Sequence, residues 1–325
     1  MRSLVILSQD VHRIFGGVVP EIASRAHLTA IVPVVRRAVA DASLTLADID
    51  AIAVTNAPGL VGALLVGVSF AKSLAFTLGV PVLGVHHMEG HIFAASLEVE
   101  DAVPPFTALL VSGGHTMLVD VPAWGEYHVL GRTRDDAAGE AFDKVGKLLG
   151  LPYPGGPQVE RVAATARTRS LRYSPPMLRR DQQPGTPDYY DMSFSGLKTA
   201  VLNSVREMTA EGRAMTDDER SDVARAFQEA LIGALIGKTE RAVTAFGRTR
   251  VVIAGGVAAN RALVEALRTR MATVGASVIA PSIRLSTDNA AMIARAGLFR
   301  LDRGERSGLD LTAYAAQPLP GAQSA

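Results

Sequence analysis

Phe106-Thr107-Ala108-Leu109-Leu110-Val111-Ser112-Gly113-Gly114-His115-Thr116-Met117-Leu118-Val119-Asp120-Val121 places two apolar runs on either side of a glycine pair. Each run has the length and composition of a buried strand and the glycine tip is a turn signal, so the segment reads as a β-hairpin inside a sheet. Glycines at the tip lack the Cβ atoms that would keep an anion off the backbone. Two N–H groups could therefore approach a phosphate or a carbonyl oxygen, although a plain hairpin turn accounts for the same residues. A second pair lies in Ala254-Gly255-Gly256-Val257-Ala258-Ala259-Asn260, after an apolar run and ahead of a helical pattern. It has the form of a nucleotide site, where a helix N-terminus and the Asn260 side chain face the ligand.

Outward from these turns, apolar periodicity predicts helices over 25–42, 62–78, 139–149, 196–208, 217–246, 260–273 and 289–301. It predicts strands over 49–55, 80–85, 251–254 and 277–280. Strands alternate with helices, which makes the chain α/β. At 325 residues it exceeds the usual size of a single core, so two lobes are expected. The first would span 1–105 and be completed by the closing helix 289–303; the second would span 106–288, with an Ala/Pro/Gln-rich tail over 314–325 that lacks order. Two Gly-Gly turns at strand ends in such an architecture are similar to the two-lobed ATPase fold of actin, Hsp70 and sugar kinases, with its inter-lobe cleft. That analogy speaks to fold alone.

Apolar residues make up 48% of the chain, and its thirty glycines sit in tight motifs instead of a low-complexity tract. The apolar core of the first eight residues is too short for a secretory signal, and the run 59–71 ends at Lys72, short of a bilayer span. A soluble cytoplasmic protein with no membrane partner is expected. With no cysteine, disulfides, thiolate ligands and a Cys nucleophile are excluded. The net charge of +1 provides no global field for nucleic acid. Six arginines at 161, 167, 169, 172, 179 and 180 nevertheless occur without an intervening acid, which is either a phosphate contact surface or the ordinary surface of a chain with 28 Arg and 5 Lys.

Val85-His86-His87-Met88-Glu89-Gly90-His91 follows the strand at 80–85. In a helix, His87 and His91 lie one above the other, where two imidazoles can share a divalent metal; helix capping by a histidine is the plainer alternative. Glu89 lies about 200° around the helix from His87, while His91 lies about 40° from it. The carboxylate therefore points away from the pair, unlike the base of a His-Glu-x-x-His peptidase. Two histidines under-coordinate a metal, so another ligand must come from elsewhere. Asp288, in Ser286-Thr287-Asp288-Asn289, is an acid at a helix start whose ordinary use is N-capping. In Asp135-Asp136-Ala137-Ala138-Gly139-Glu140-Ala141-Phe142-Asp143-Lys144, the acids Asp136, Glu140 and Asp143 are expected on one helical face. Asp143 beside a glycine hairpin suits ribose hydroxyls or Mg²⁺.

These motifs, together with Gly16-Gly17-Val18-Val19-Pro20-Glu21, Tyr153-Pro154-Gly155-Gly156-Pro157 and Phe194-Ser195-Gly196-Leu197-Lys198-Thr199, run in an order that closely resembles the tRNA threonylcarbamoyltransferase family, once labelled O-sialoglycoprotein endopeptidases. The resemblance covers nearly all of 8–315. It implies transfer of a threonylcarbamoyl group from threonylcarbamoyl-AMP to the exocyclic amine of the adenosine 3′ of the anticodon, in tRNAs reading codons that start with A. It also implies that His87, His91 and Asp288 hold a metal, iron or zinc. Leu110, Val111, Ser112, Gly113, Gly114, Asp143, Gly156 and Asn260 would contact the adenylate, with Mg²⁺ an additional counter-ion. Position 160, often Asp in the family, is Glu160 here. Expected partners are tRNA, a paralogous scaffold subunit and a small P-loop ATPase. The competing functions are a small-molecule kinase of the same fold and a non-catalytic scaffold paralogue; the latter lack the metal histidines. Members of this family begin with a strand and turn that this sequence starts beyond, so a leading lobe short of roughly two strands is expected, with an open sheet edge.

Overall fold

The computed structural model describes residues 1–8 and 17–324. Gly16, the first residue of the Gly-Gly-Val-Val-Pro-Glu motif, lies outside them. The chain divides into two units: Met1–Asp101 with Thr287–Gly321, and Ala102–Ser286 with Ala322–Ala325. Thr287 and Asp288, expected to close the second lobe, belong to the first, because the Asp288 side chain is bonded to histidines of that unit.

In the first unit, helix α1 (Pro20–Asp41) leads through a short turn to strand β1 (Ile52–Ala57), helix α2 (Val61–Leu78), strand β2 (Val82–His86) and helix α3 (His87–Ala94). Helix α1 begins five residues earlier than periodicity predicts, because Pro20 occupies the first turn, where a missing N–H costs nothing and the fixed φ favours the helix. β1 and β2 pair in parallel across the α2 crossover. Helix α2 is the one helix among the described residues long and apolar enough to cross a membrane; it carries Lys72, whose Nζ donates to the carbonyls of Leu309 and Leu311 at 2.9 Å each. Ala71, Ala75 and Val82 form the buried centre, with Ile52, Val54 and Leu311 around it.

Helix α10 (Ala290–Asp302) returns to this unit and packs on β1, β2 and α3. Gly297 sits so close to β1 that a Cβ there would lie 2.6 Å from that of Ala53. The tail is not without order at its start. Tyr314 N donates to Asn56 O, Gly59 N to Ala315 O, and the Gln317 carbonyl lies 3.1 Å from His86 Nε2, so backbone pairing holds 314–317 where composition suggests none.

The second unit is a six-stranded sheet in the order β7-β6-β3-β4-β5-β8: β3 (Phe106–Val111), β4 (Thr116–Ala123), β5 (Glu126–Arg132), β6 (Arg250–Ala254), β7 (Ser277–Ile279) and β8 (Ala322–Ser324). The expected hairpin is present, with Val111 opposite Thr116. β5, unassigned from the sequence, extends it into a meander, and β6 joins β3 in parallel. Helices α4 (Ala138–Leu148), α5 (Gly155–Ala163), α6 (Ser195–Met208), α7 (Asp217–Phe246), α8 (Arg261–Ala272) and α9 (Ile283–Ser286) complete this unit. Helix α5 is also new, since Tyr-Pro-Gly-Gly-Pro reads as a turn.

Helix α7 shows why so long an element forms. Thr216 and Glu219 make a capping box, three acids fill the first turn and Gly247 ends it at φ 60°. Its inner face carries Phe227, Leu231 and Leu235 into a core shared with Leu109, Val111, Phe142 and Ile253.

Candidate functional site

His86 closes β2 and caps α3, its Nδ1 accepting from Met88 N at 3.2 Å. The capping role thus falls to His86, and His87 and His91 are left on one face with ring centroids 4.7 Å apart. At the start of α10 the cap is Asn289, whose Oδ1 accepts from Met292 N at 3.0 Å. Asp288 is consequently free to turn toward the histidines. Its Oδ1 lies 3.3 Å from His87 Nε2 and 3.2 Å from His91 Nε2.

Among the described residues this is the group of three metal-ligating side chains whose donor atoms all fall within 4.8 Å of one another. Burial pushes the His91 imidazole below its usual pKa and overrides the opposing hydrogen bond to Asp288, which leaves the ring neutral, as a metal ligand must be. Burial alone would raise the Asp288 carboxyl. Hydrogen bonds from His87 and His91 instead hold it well below the ordinary carboxylate range. His91 Nδ1 is buried without a hydrogen-bond partner. Two imidazole nitrogens and a carboxylate oxygen on one side leave the remaining positions open, a donor set suited to iron(II) or zinc.

The glycine turns form a second constellation, wholly within the second unit. The hairpin tip is tied across its neck: Ser112 N donates to His115 O at 2.8 Å and His115 N to Ser112 Oγ at 3.0 Å. Gly113 and Gly114 are exposed, with open space where a Cβ would be. Leu110 and Val111 are buried, so only their backbone can face a ligand. The start of α4 abuts this loop through Gly139 N donating to Ser112 O at 3.2 Å. Gly255 follows β6 with φ 97°, and a Cβ on it would collide with the Val111 carbonyl; the residue is confined to glycine on both counts.

The polar candidates are all engaged at helix starts. Asp143 Oδ1 accepts from Gly155 N at 2.7 Å, and burial raises the carboxyl above its usual pKa against the hydrogen bonds of Gly155 and Gly156. Glu160 Oε1 accepts from Arg261 N at 2.7 Å and from Ala262 N at 3.2 Å, across the first turn of α8. Asn260 caps the same helix through Leu263 N and donates to Gln228 Oε1 at 3.1 Å. The residues expected around an adenylate are thus linked to one another: the hairpin tip to α4, Asp143 of α4 to α5, and Glu160 of α5 to α8. Gly156 lies in the first turn of α5.

Asp136, Glu140 and Asp143 do not share a helical face as the periodicity suggests, because Asp136 precedes the helix. It binds Lys144 Nζ at 2.6 Å and Lys198 Nζ at 3.1 Å. Asp135 accepts from Phe194 N and Ser195 N at 2.8 and 3.2 Å, anchoring α6. Neither Asp135 nor Lys198 was singled out from the sequence, although Phe-Ser-Gly-Leu-Lys-Thr carried the signal. In the arginine stretch, Arg161 bonds Gln158 and Arg179 pairs with Asp181 and Asp188.

Residues 1–295 match the tRNA N6-adenosine threonylcarbamoyltransferase family. A tRNA N6-adenosine threonylcarbamoyltransferase of Gemmatimonas aurantiaca is 61% identical over 325 residues, covering 99% of this chain and 90% of the relative. Another, of Ralstonia pickettii, is 47% identical over 319 residues, 98% and 90% of the two chains. Among solved structures, HypF of T. kodakarensis superposes with a TM-score of 0.59 at 15% identity over 83% of this chain and 43% of its own. Component A of Acidaminococcus fermentans (R)-2-hydroxyglutaryl-CoA dehydratase gives 0.50 at 13% identity over 84% and 83%. Both likenesses concern fold, and they identify it as the α/β fold of the actin-like ATPases.

Proposed function

We propose that this chain, which belongs to the tRNA N6-adenosine threonylcarbamoyltransferase family, works with a divalent metal held by His87, His91 and Asp288 and takes threonylcarbamoyl-AMP as its acyl donor. It is a transferase that modifies tRNA, placing a threonylcarbamoyl group on the N6 amine of adenosine. The acceptor is the adenosine 3′ of the anticodon in tRNAs reading codons that begin with A.

The observation that carries the metal is the convergence of His87 Nε2 and His91 Nε2 on Asp288 Oδ1, made possible because His86 and Asn289 take over the capping. A bound iron or zinc ion would orient a phosphate or carbonyl oxygen and stabilise negative charge that develops during acyl transfer.

The donor reading rests on the exposed Gly113–Gly114 backbone and on the chain of contacts running from it to Asp143, Gly156, Glu160 and Asn260. Amides at a glycine tip stabilise an oxyanion or a phosphate without reorganising, since no side chain has to move. Asp143, with its raised pKa, and Glu160 have acceptor capacity left for ribose hydroxyls after capping α5 and α8. The bond between the carbonyl carbon and the phosphate oxygen breaks as the N6 nitrogen bonds that carbon; AMP leaves with the electron pair, and the proton lost by the amine passes to solvent. Mg²⁺ would act as counter-ion to the donor phosphate. The proposed setting is the cytoplasm, with a paralogous scaffold subunit and a small P-loop ATPase as partners.

The test is mass analysis of tRNA nucleosides after incubating the protein, its partners and unmodified tRNA with threonylcarbamoyl-AMP. Appearance of the threonylcarbamoylated adenosine supports the donor assignment. Its absence with that donor, when ATP, threonine and bicarbonate together do yield it, would refute the isolated adenylate as substrate.

A further inference from the structure

The second unit also contains a cavity of about 240 Å³ between the segment following α5 and the first half of α7. Arg169, Arg172, Tyr173, Arg225 and Glu229 line it. At about 30 Å³ per molecule of liquid water, that is room for roughly eight waters, or for a phosphodiester group with part of its sugars.

Its construction is specific. Asp222 is buried beside the lining residue Arg225 and both of its oxygens are consumed: Oδ2 by Ser170 N, Ser170 Oγ and Leu171 N, and Oδ1 by Arg225 Nε and Nη2. Asp222 thereby pins the segment that carries Arg169 and Arg172 to α7. Arg225, itself nearly buried, completes its bonding through Leu171 O at 2.8 Å and Glu229 Oε2 at 2.6 Å. The second Glu229 oxygen lies 3.5 Å from Arg169 Nη1. One half-exposed carboxylate thus bridges two guanidiniums, each oxygen toward one of them. Arg172 is exposed and has no ion pair among the described residues. The Tyr173 hydroxyl is buried without a well-formed hydrogen bond, Ser204 lying beside it.

Three guanidiniums, of Arg169, Arg172 and Arg225, face two carboxylates, of Asp222 and Glu229, so one positive charge is left over, and Arg172 is the member without an ion pair among the described residues. Planar forks that present paired N–H donors suit phosphate oxygens in particular. We propose that the cavity between Arg169, Arg172 and Arg225 seats a backbone phosphate of the tRNA substrate, with Glu229 as an internal stand-in that the phosphate displaces from Arg169. The proposal rests on the tRNA reading above and assigns it side chains distinct from every metal and donor residue. It also separates the arginine stretch into parts, because Arg161 and Arg179 are already satisfied locally while Arg172 is not.

The removal of Glu229 and the removal of an arginine should act in opposite directions, which a merely structural ion-pair network would not produce. Binding of full-length protein to unmodified tRNA would be followed by anisotropy from low to high salt, for wild type, Arg172→Gln, Arg169→Gln and Glu229→Gln, each checked by thermal melt. Either arginine variant should bind several-fold more weakly at low salt, with the slope of log affinity against log salt reduced by roughly one. Glu229→Gln should bind roughly threefold more tightly, the effect of removing one competing partner of an exposed ion pair.

Unchanged affinity and slope in all three folded variants, with wild type binding tRNA, would overturn the cavity assignment and leave the tRNA reading standing. Failure of wild type to bind tRNA at low salt would strike the tRNA reading itself, and the cavity assignment with it. Inorganic phosphate provides the remaining arm: if it stabilises wild type but not Arg172→Gln, while tRNA affinity is the same in both, the cavity serves free phosphate and the proposal fails.

Discussion

Arg300 Nε donates to Glu89 Oε2 at 2.8 Å, and this pair determines which way α3 faces. Glu89 is fully buried, and Arg300 reaches it from the last turn of α10. With its carboxylate engaged by α10, Glu89 is unavailable to a metal on the opposite face, and the peptidase reading of the histidine motif fails on geometry. Arg300 also reaches Glu305 at the surface, so its guanidinium links a buried carboxylate to an exposed one.

Glu89→Gln should therefore act on stability and spare chemistry. Neutralising one partner of a buried ion pair costs roughly 3 kcal/mol where the other charge is left unpaired; Arg300 keeps Glu305, so a smaller loss of about 1–2 kcal/mol is expected. The variant should melt earlier in denaturant yet transfer at close to the wild-type rate when assayed folded. A variant of undiminished stability that has lost transfer would show that the carboxylate takes part in the reaction.

His91→Ala should release the metal and abolish transfer, since loss of one of three protein ligands removes most affinity. Asp288→Asn keeps the shape, lacks the charge and should reduce metal content less completely. Elemental analysis of the purified proteins, run beside the nucleoside assay, reads both. Full occupancy in the two variants would mean the ion sits elsewhere.

Glu160→Ala deprives Arg261 N and Ala262 N of their acceptor, and a lost cap of this kind costs about 1 kcal/mol. If Glu160 also holds a ribose hydroxyl, the KM for threonylcarbamoyl-AMP rises several-fold beyond any loss of folded protein. A drop in stability with KM unmoved would confine Glu160 to capping α8.

Lys238 offers a pH signature. Its amine is fully buried on α7, donating to Asp188 O at 2.6 Å and Tyr189 O at 2.8 Å, and burial pushes its pKa down to about 8. Between about 8 and the ordinary 10.5, the unfolded chain binds a proton that the folded one does not, so this group's contribution to stability rises with pH across that window. Both acceptors have a second donor, Gln182 Nε2 for Asp188 O and Arg241 Nη1 for Tyr189 O. Lys238→Met should accordingly stay within about 1 kcal/mol of wild type at neutral pH and lose that alkaline rise. Denaturant melts at pH 7, 8, 9 and 10 on both proteins give the difference directly.

What could be read from the sequence follows the range of the interaction. The His87/His91 pair and the outward turn of Glu89 are one-helix geometry, available from periodicity. Asp288 is 197 positions from His91 and came only through resemblance to a family, because an acid before a helix looks like a cap until Asn289 is seen to do the capping. Helix α5 was hidden because glycine and proline signal a turn locally, whereas Asp143 supplies the acceptor for its first amides. The links among Asp143, Glu160 and Asn260 each cross between elements and leave no local pattern. β5 alternates too weakly to be told from a loop until β4 provides its partner.

The nesting of the second unit inside the first sets an order of events on the ribosome. His87 and His91 emerge early, but Asp288 and α10 follow the entire 102–286 insertion. At about 5–20 residues per second, the 197 positions from His91 to Asp288 take roughly 10–40 s to synthesise. Throughout that interval β1 and β2 lack the helix that covers them, while by its end the inserted unit has nearly all of its own core. Acquisition of the metal would then be among the last steps of maturation, and a nascent chain stalled before residue 288 would carry two histidines with no third ligand to close on an ion.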